Sequence, residues 1–309
     1  MPADPWIVLG AALIEGATGY PDRLHARLPH PISWAGWLIG ALERGLNRGR
    51  ARRAKGVLAL AIVAGLAGFL GWAVQGVLAG SWTGLLVTAA VGSLGLAARS
   101  LYDHVRPVLK ALEADDLPAA RTAVARIVGR DVQALDASGV AAAALESLAE
   151  SLTDGVVAPL FWFLLAGLPG LFVYKAVNTA DSLIGHREEP YRLFGWAAAR
   201  TDDLMNLIPA RLAGPLIVLV GGRGWRVMRR DADRHASPNA GWTEAAMAGA
   251  LAIELGGDAT YDGVRHHRPI FGDGHRPQAA DLKAGLRLYR RACIVLASAL
   301  LVGGFAWPR

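Results

Sequence analysis

A short polar stretch of this chain, "AARTDDLMNLIPARL", contains carboxylate, amide and guanidinium side chains and is flanked by apolar sequence. Asp202 lies four positions before Asn206 and Asp203 three positions before it, so on a helix the three side chains can converge. Such oxygen ligands suit Mg²⁺, which proteins usually hold with one or two carboxylates plus substrate phosphates. The stretch also contains two arginines, Arg200 and Arg211. These cations could oppose phosphate charge or simply neutralise the carboxylates, and both interpretations stay open.

A second acidic pattern occurs in "ESLAESLTD", where carboxylates recur at every fourth position: Glu146, Glu150 and Asp154. On a helix this spacing stacks the three side chains along one face. No basic residue follows four positions later to pair with them, and the pattern runs directly into an apolar segment. A metal or cation site and a solvated acidic stripe therefore both remain possible interpretations.

The segment "YKAVNTADSLIG" places Lys175, Asn178, Asp181 and Ser182 at three- and four-residue spacings, hence on one helix face. A helix cap would explain one polar residue, but it would not explain four beside an apolar run. Ionisable side chains are costly in such surroundings, and they indicate function more often than structure.

The composition indicates the kind of molecule that must position these residues. Of 309 residues, 53% are hydrophobic and 19% are charged, with a formal net charge of +6; an average soluble domain has about 25% charged residues. The basic residues cluster beside apolar runs, which fits anionic lipid head groups and control of topology. No nucleic-acid-binding motif is visible, so we expect no nucleic-acid partner. We predict an all-α, polytopic integral membrane protein that forms a single membrane-embedded domain over 1–309.

Five apolar segments would provide its membrane helices: 56–79, 82–98, 155–178, 212–222 and 292–307. The first two are separated only by a Gly-Ser turn and predict a helical hairpin. Six cations precede the first segment: Arg44, Arg48, Arg50, Arg52, Arg53 and Lys55. Such a cluster beside a first long span indicates the cytoplasmic side.

The intervening polar segments, 99–154, 179–211 and 223–291, are expected to be cytoplasmic and helical. This topology requires 155–178 to return to the side on which it began. Pro169-Gly170 interrupts that segment and predicts two half-helices in a re-entrant or protein-buried hairpin. Broken backbone at membrane depth is tolerated only where protein covers it or it lines a wet cavity. A single crossing is the alternative.

Several long blocks of this chain resemble one known family. They are "ARTAVARIVGRD", "ESLAESLTDGVVAPLFW", "YKAVNTADSLIG", "YRLFGWAAARTDDLMNLIPARL" and "SPNAGWTEAAMAGAL", in that order, and an early His30-Pro31 segment precedes them. Their order and spacing resemble the CobD/CbiB family, the membrane-bound adenosylcobinamide-phosphate synthases of cobalamin biosynthesis. The chain departs from the family pattern at Ser151, where the family has an amide, and within "NTADSL", where the family has NTLDSM.

The resemblance implies a multi-pass enzyme of the bacterial inner membrane with its active face in the cytoplasm. Its expected reaction joins adenosylcobyric acid, an adenosylated corrinoid substrate, to aminopropanol or its phosphate by ATP-dependent amide formation. ATP and Mg²⁺ are the expected cofactors. Membrane lipid and later enzymes of the pathway are further implied partners, and a homo-oligomer stays open.

The resemblance and the side-chain chemistry together assign three sets of site residues. The catalytic candidates are Asp202, Asp203, Asp181 and Arg200. The candidates for binding ATP or the corrinoid are Lys175, Asn178, Asn206, Arg211, Arg130 and His30. The candidate metal ligands are Glu146, Glu150, Asp154, Asp202 and Asp203.

Two other function classes compete with this interpretation. A non-catalytic membrane scaffold that binds corrinoid and recruits pathway enzymes is the alternative. The number of unpaired carboxylates argues against it, since binding an anionic substrate does not require them. A membrane phosphotransferase of the alcohol-phosphatidyl type lacks support, because its DGxxAR pattern is absent: Asp154-Gly155 is followed by "VVAPL".

Overall fold

A computed structural model describes residues 3–20, 30–186, 188–261 and 263–307 of the chain. It divides into two compact units, each formed from separate stretches of sequence. The first unit comprises Met1–Ala97, Ala158–Asn206 and Ala297–Arg309, and the second comprises Ala98–Val157 and Leu207–Leu296. The single membrane-embedded domain expected from the sequence stays a prediction.

Helices dominate both units. Up to the middle of the chain they are α1 Pro5–Thr18, α2 Pro31–Leu46, α3 Arg52–Leu78, α4 Trp82–Ser93, α5 Ala98–Glu113, α6 Leu117–Val124 and α7 Ala137–Leu152. A π-helical turn, Thr153–Val157, follows α7. The remaining helices are α8 Ala158–Ile184, α9 Tyr191–Phe194, α10 Trp196–Met205, α11 Leu207–Gly221, α12 Trp225–Asp231, a 3₁₀ turn Ala232–Arg234, α13 Ala240–Leu251 and α14 Ala279–Ala306.

Four short strands lie between α13 and α14, in a region that the sequence analysis expected to be helical. They form two antiparallel pairs: β1 Leu255–Gly256 with β4 Ile270–Phe271, and β2 Ala259–Tyr261 with β3 Val264–His266. Strands of two or three residues carry almost no periodic signal, so the sequence pattern gave no indication of them.

Four helical stretches of the described chain are long and apolar enough to cross a membrane: Arg52–Leu78, Trp82–Glu113, Ala137–Ile184 and Ala279–Ala306. A fifth span results if α10 and α11 count as one broken helix. These helices confirm the prediction of an all-α polytopic membrane protein. Helix α1 is also apolar, but it was not among the predicted segments and is only 14 residues long.

The predicted break within 155–178 is confirmed, but it begins at Gly167 and not at Pro169-Gly170. The backbone leaves helical geometry at Gly167, whose φ of 67° lies in the left-handed region that favours glycine, and Pro169 follows within the next turn. A Cβ on Gly170 would lie 2.5 Å from the carbonyl oxygen of Trp162. Residues eight apart in a straight helix are separated by about 12 Å, so the chain bends sharply here. Re-entrance into the membrane stays a prediction.

Protein atoms of α3 cover this break. The N–H of Leu168, freed from helical bonding, donates to the side-chain oxygen of Gln75 at 2.8 Å. Gly71 permits the close approach, because a Cβ there would lie 2.7 Å from the backbone of Pro169. Gln75 is polar within an otherwise apolar helix, and satisfying this broken backbone explains its presence. The first unit is thus built around a discontinuous helix that α3 supports.

The second unit has α13 at its centre. Ten of its twelve residues are buried, and most of them are alanine, glycine or methionine. A helix buried on all sides shows no amphipathic pattern, and small side chains let its neighbours approach closely. At the crossing with α12, a Cβ on Gly249 would lie 2.9 Å from the Cα of Gly224. This core helix also carries a buried carboxylate, Glu244.

Candidate functional site

The polar stretch 198–212 runs through α10 and into α11, so Asp202, Asp203 and Asn206 belong to the first unit and Arg211 to the second. Asp202 and Asn206 are both buried, with 8% and 2% of their surface exposed. Asn206 donates from its side-chain amide to one oxygen of Asp202 at 3.0 Å, and Asn178 of α8 donates to the other at 3.2 Å. The hydroxyl of Tyr174, which is fully buried, donates to the Asn206 carbonyl oxygen at 3.0 Å. Neutral donors from two helices therefore position the Asp202 carboxylate.

Within the described residues, no lysine, arginine or histidine forms an ion pair with Asp202. The two amides orient its oxygens without adding charge, and the ammonium of Lys175 interacts with it electrostatically without forming an ion pair. An ionised carboxylate has about four acceptor positions, and Asn178 and Asn206 occupy two of them. The site can accept a further cation or proton donor.

Asp203, next in sequence, has a different environment. Arg200 donates to its carboxylate at 3.2 Å across one helical turn, and both side chains are partly exposed. The predicted convergence of Asp202, Asp203 and Asn206 therefore holds for the buried pair of Asp202 and Asn206. Asp203 and Arg200 neutralise each other in the structure, which is one of the two interpretations left open above.

The predicted polar face of α8 is confirmed in part. Asn178 contacts Asp202, whereas the hydroxyl of Ser182 donates to the backbone carbonyl of Asn178 at 2.9 Å. The ammonium of Lys175 lies 6.0 Å from the ring centre of Tyr174. Asp181 is half-buried near the end of the same helix. The roles assigned to Lys175, Asn178 and Asp181 stay predictions.

A second buried acidic site lies in the second unit, around Glu146 of α7. Arg130 forms a short ion pair with this carboxylate, and Arg268 forms another at 3.1 Å. The backbone N–H of Gly256 donates to its second oxygen at 2.8 Å. No basic residue lies four positions beyond Glu146 in the sequence, and both of its arginine partners come from segments outside its own helix.

The other two members of the acidic pattern differ from Glu146 in burial. Glu150 is exposed, and Asp154 is half-buried in the π-helical turn. Nowhere in the described ranges do three histidine, cysteine, aspartate or glutamate side chains group closely enough to hold a metal ion by themselves. The metal roles assigned to Glu146, Glu150 and Asp154 stay predictions.

Glu244 of α13 shares an arginine with Glu146. Arg268 donates to Glu244 at 3.2 Å, and the Nε2 atom of His235 lies 3.5 Å from its other oxygen. Burial raises the pKa of Glu244 well above its usual value, and the nearby negative charge of Glu146 raises it further. This side chain thus favours the protonated form, while its neighbour is held between two cations.

Arg211 of α11 lies in the second unit. Its Nη1 atom donates to the carbonyl of Leu207 at 2.8 Å and to the side chain of Asn239 at 3.4 Å. The guanidinium also lies 5.0 Å from the ring centre of Trp242, near the beginning of α13. Among the described residues, its Nε and Nη2 atoms donate no hydrogen bond. That free edge could bind a phosphate or carboxylate through two parallel bonds.

Two further candidates have structural contacts. His30 caps α2, since its Nδ1 atom accepts the N–H of Ile32 at 3.2 Å. Arg130 lines a cavity of about 470 Å³ in the second unit, beside Gly256 and Gly257. The cavity is large enough for a small ligand. The binding roles of His30 and Arg130 stay predictions.

Comparison with known proteins decides the family. The family model described as "CobD/Cbib protein" matches residues 8–289. The chain belongs to the CobD/CbiB family. A "Cobalamin biosynthesis protein CobD" of Rhodobacter capsulatus is 53% identical over 90% of either chain. CobD proteins from a Sinorhizobium species and Geobacter metallireducens are 44% and 43% identical; the alignments cover 96% and 94% of this chain, and 97% and 94% of theirs. No solved structure matches this CobD/CbiB chain.

Sequence reasoning missed several residues of these two sites. Tyr174, His235, Glu244 and Arg268 were not among the candidates. One signal was available for Glu244: it is the only charged residue in a helix of small and apolar side chains, "AGWTEAAMAGAL". No local pattern could have found Arg268, because it meets Glu146 across 122 positions of sequence.

Proposed function

We propose that this member of the CobD/CbiB family is an ATP-dependent amide synthase. It joins the carboxylate of adenosylcobyric acid to aminopropanol or its phosphate, in the bacterial inner membrane and with its active face in the cytoplasm. The observation that carries this proposal is the Asp202 carboxylate, which is buried, is oriented by Asn178 and Asn206, and forms no ion pair within the described chain.

The chemistry requires activation of the corrinoid carboxylate, because a carboxylate is a poor acylating agent. In the proposed sequence, a carboxylate oxygen attacks the γ-phosphorus of ATP and ADP leaves. The amine nitrogen then attacks the acyl carbon, loses a proton and expels inorganic phosphate. Both steps develop negative charge on oxygen atoms, so the protein must hold phosphates and oppose their charge.

The donors around Asp202 fit Mg²⁺ bound together with a nucleotide. Proteins usually hold this ion with one or two carboxylates, and substrate phosphates and water complete the set. Asp202 would therefore bind Mg²⁺ alongside ATP, with Asn178 and Asn206 fixing its orientation. The bound ion would supply charge neutralisation on the phosphate oxygens.

Arginine and lysine side chains of the two units would bind anionic groups of the substrates. Arg211 has an unused edge among its described contacts, which suits bidentate binding of phosphate or of an anionic group of the corrinoid. Lys175 follows Tyr174 on α8, the helix that also positions Asp202 through Asn178. We assign both to phosphate or substrate binding.

One competing function gains support from the structure. The number of unpaired carboxylates argued against a non-catalytic corrinoid-binding scaffold. Glu146 and Asp203 have arginine partners, which weakens that argument. The scaffold hypothesis therefore requires a direct test.

The experiment uses the full-length protein purified in detergent and incubated with Mg-ATP, adenosylcobyric acid and aminopropanol or its phosphate. We expect an amide product formed with stoichiometric release of inorganic phosphate, and no product when Mg²⁺ is chelated. Corrinoid binding with no nucleotide turnover would contradict the synthase and support the scaffold. Comparing the two amines in the same assay also decides which of them is the substrate.

A further inference from the structure

Helix α2 of the first unit has two distinct faces. Ile39 packs in the core formed with α3 and α8, and Leu42 and Leu46 lie against the same core. The opposite face contains residues spaced alternately by three and four positions, Trp34, Trp37, Ala41 and Arg44, and Arg48 follows just beyond the end of the helix. All five of these residues are exposed. The outer face thus changes along the helix from aromatic to cationic.

Exposing the aromatic half of this face to water would cost free energy. Trp34 and Trp37 are 57% and 62% exposed, although each carries a large apolar ring. Both belong to a helix that packs on α3, which is long and apolar enough to cross a membrane. Large apolar side chains exposed together on such a helix indicate a surface that contacts membrane lipid.

The cationic half continues into the segment that precedes α3. Three cations in the first turn of α3 have contacts: Arg52 with Glu189 at 3.0 Å, Lys55 with the backbone of Arg48 at 2.8 Å, and Arg53 with the Trp196 ring at 3.7 Å. Arg48 and Arg50 are exposed and form no ion pair within the described chain. The end of α2 therefore has an excess of positive charge that the protein itself does not neutralise.

The separation of the two halves matches the depth of a lipid leaflet. Ten residues of helix separate Trp34 from Arg44, which corresponds to about 15 Å. The hydrocarbon core of a bilayer is about 30 Å thick, so one leaflet is about 15 Å deep. A phospholipid with its head group at Arg44, Arg48 and Arg50 would therefore extend its chains along Trp37 and Trp34.

We propose that the outer face of α2, together with Arg48 and Arg50, is a binding site for an anionic phospholipid such as phosphatidylglycerol. The arginines bind the phosphate and select for negative charge, and the tryptophans contact the acyl chains. This site is independent of the proposed amide synthesis, because none of its residues contacts Asp202, Asn178 or Asn206.

Native mass spectrometry of the full-length protein provides the test. The protein is reconstituted in nanodiscs of equal parts phosphatidylglycerol and phosphatidylcholine, released, and examined for retained lipid. We expect preferential retention of phosphatidylglycerol. A cation near an anionic membrane surface contributes roughly a five-fold preference, so an Arg48→Gln/Arg50→Gln variant should lose about 25-fold in selectivity. Soluble glycerol phosphate should not displace the bound lipid.

A matched control removes two exposed arginines elsewhere, Arg106→Gln/Arg126→Gln, and should retain the wild-type selectivity. Trp37→Ala should lower retention of both lipids without changing the preference between them, because the ring contacts chains and not head groups. Equal retention of the two lipids by the wild type would overturn the proposal. So would unchanged selectivity in the Arg48→Gln/Arg50→Gln variant, or displacement by glycerol phosphate.

Discussion

Each unit of this CobD/CbiB protein buries a carboxylate, but the partners of the two are of opposite kinds. In the second unit, Glu146 lies between Arg130 and Arg268, so its charge is neutralised on both sides. In the first unit, Asp202 accepts hydrogen bonds from Asn178 and Asn206, which orient it without neutralising it. Burial alone therefore does not distinguish a structural carboxylate from one that is available to a ligand.

The difference follows from the energetics of buried charge. Taking a carboxylate out of water is costly, and cationic partners offset that cost at all times. Amide donors offset less of it, so the remainder favours the arrival of a cation. We therefore assign Glu146 to holding α7 against the strand region, and Asp202 to function. The predictions below test that division, beginning with the largest expected effect.

Glu146→Gln should destabilise the protein strongly. The amide would leave Arg130 buried without its counter-charge and Arg268 with Glu244 as its remaining carboxylate partner, and breaking such a network typically costs about 3–5 kcal/mol. Thermal unfolding in a non-ionic detergent measures the loss. Glu150→Gln on the same helix is the control, and because Glu150 is exposed it should cost less than about 1 kcal/mol. Equal losses of stability in the two variants would contradict the structural role of Glu146.

Asp231→Asn tests the same principle through pH. Hydrogen bonding from Arg230 lowers the pKa of the Asp231 carboxyl to about 2, although its burial opposes the shift. Because the folded pKa lies below the unfolded value of about 4, this carboxylate stabilises the fold above pH 4. The stabilisation is lost as pH falls toward 2. The variant should be less stable by about 2 kcal/mol at pH 7.

Unfolding measured between pH 7 and pH 2.5 checks this prediction. The difference between wild type and Asp231→Asn should be constant at neutral pH and should shrink below pH 4. A difference that stays constant down to pH 2.5 would contradict the assigned pKa direction.

Asp203→Asn should have the smallest effect on stability. Its pairing with Arg200 is partly exposed and spans one helical turn, and such pairs contribute less than about 1 kcal/mol. In the amide-synthesis assay, this variant should retain more activity than Asp202→Asn, since Arg200 already neutralises Asp203. A greater loss of activity in Asp203→Asn would reverse the assignment of the two neighbouring carboxylates.

Part of this structure could be predicted from local sequence pattern. The long apolar helices follow from the length of the apolar segments, and the break in α8 follows from glycine and proline. Both signals lie within a few helical turns of sequence. The pairing of Asp202 with Asn206 follows from four-residue spacing on a helix. The break itself lies at Gly167 and not at Pro169-Gly170, because the residue that adopts a positive φ marks the bend.

Features that depend on distant contacts could not be predicted in this way. Glu146 meets Arg268 only after the chain has folded the second unit around α13. Gln75 has apolar neighbours in sequence, and its role follows only from the contact in which it accepts the N–H of Leu168. The absence of a basic residue four positions away therefore says little about whether a buried carboxylate is paired.

Steady-state kinetics of Asp202→Asn, with Asp203→Asn as the matched control, test the central claim most directly. The change preserves side-chain size and removes one negative charge, but the new amide NH2 faces one of the two amide donors, so we expect a folded, corrinoid-binding protein that is destabilised by about 1–3 kcal/mol. Its kcat for amide formation should fall by two to three decades, about 3–4 kcal/mol, the scale expected when one electrostatic stabiliser is removed. Near-normal amide synthesis by a well-folded Asp202→Asn variant would contradict the assignment of Asp202 to function.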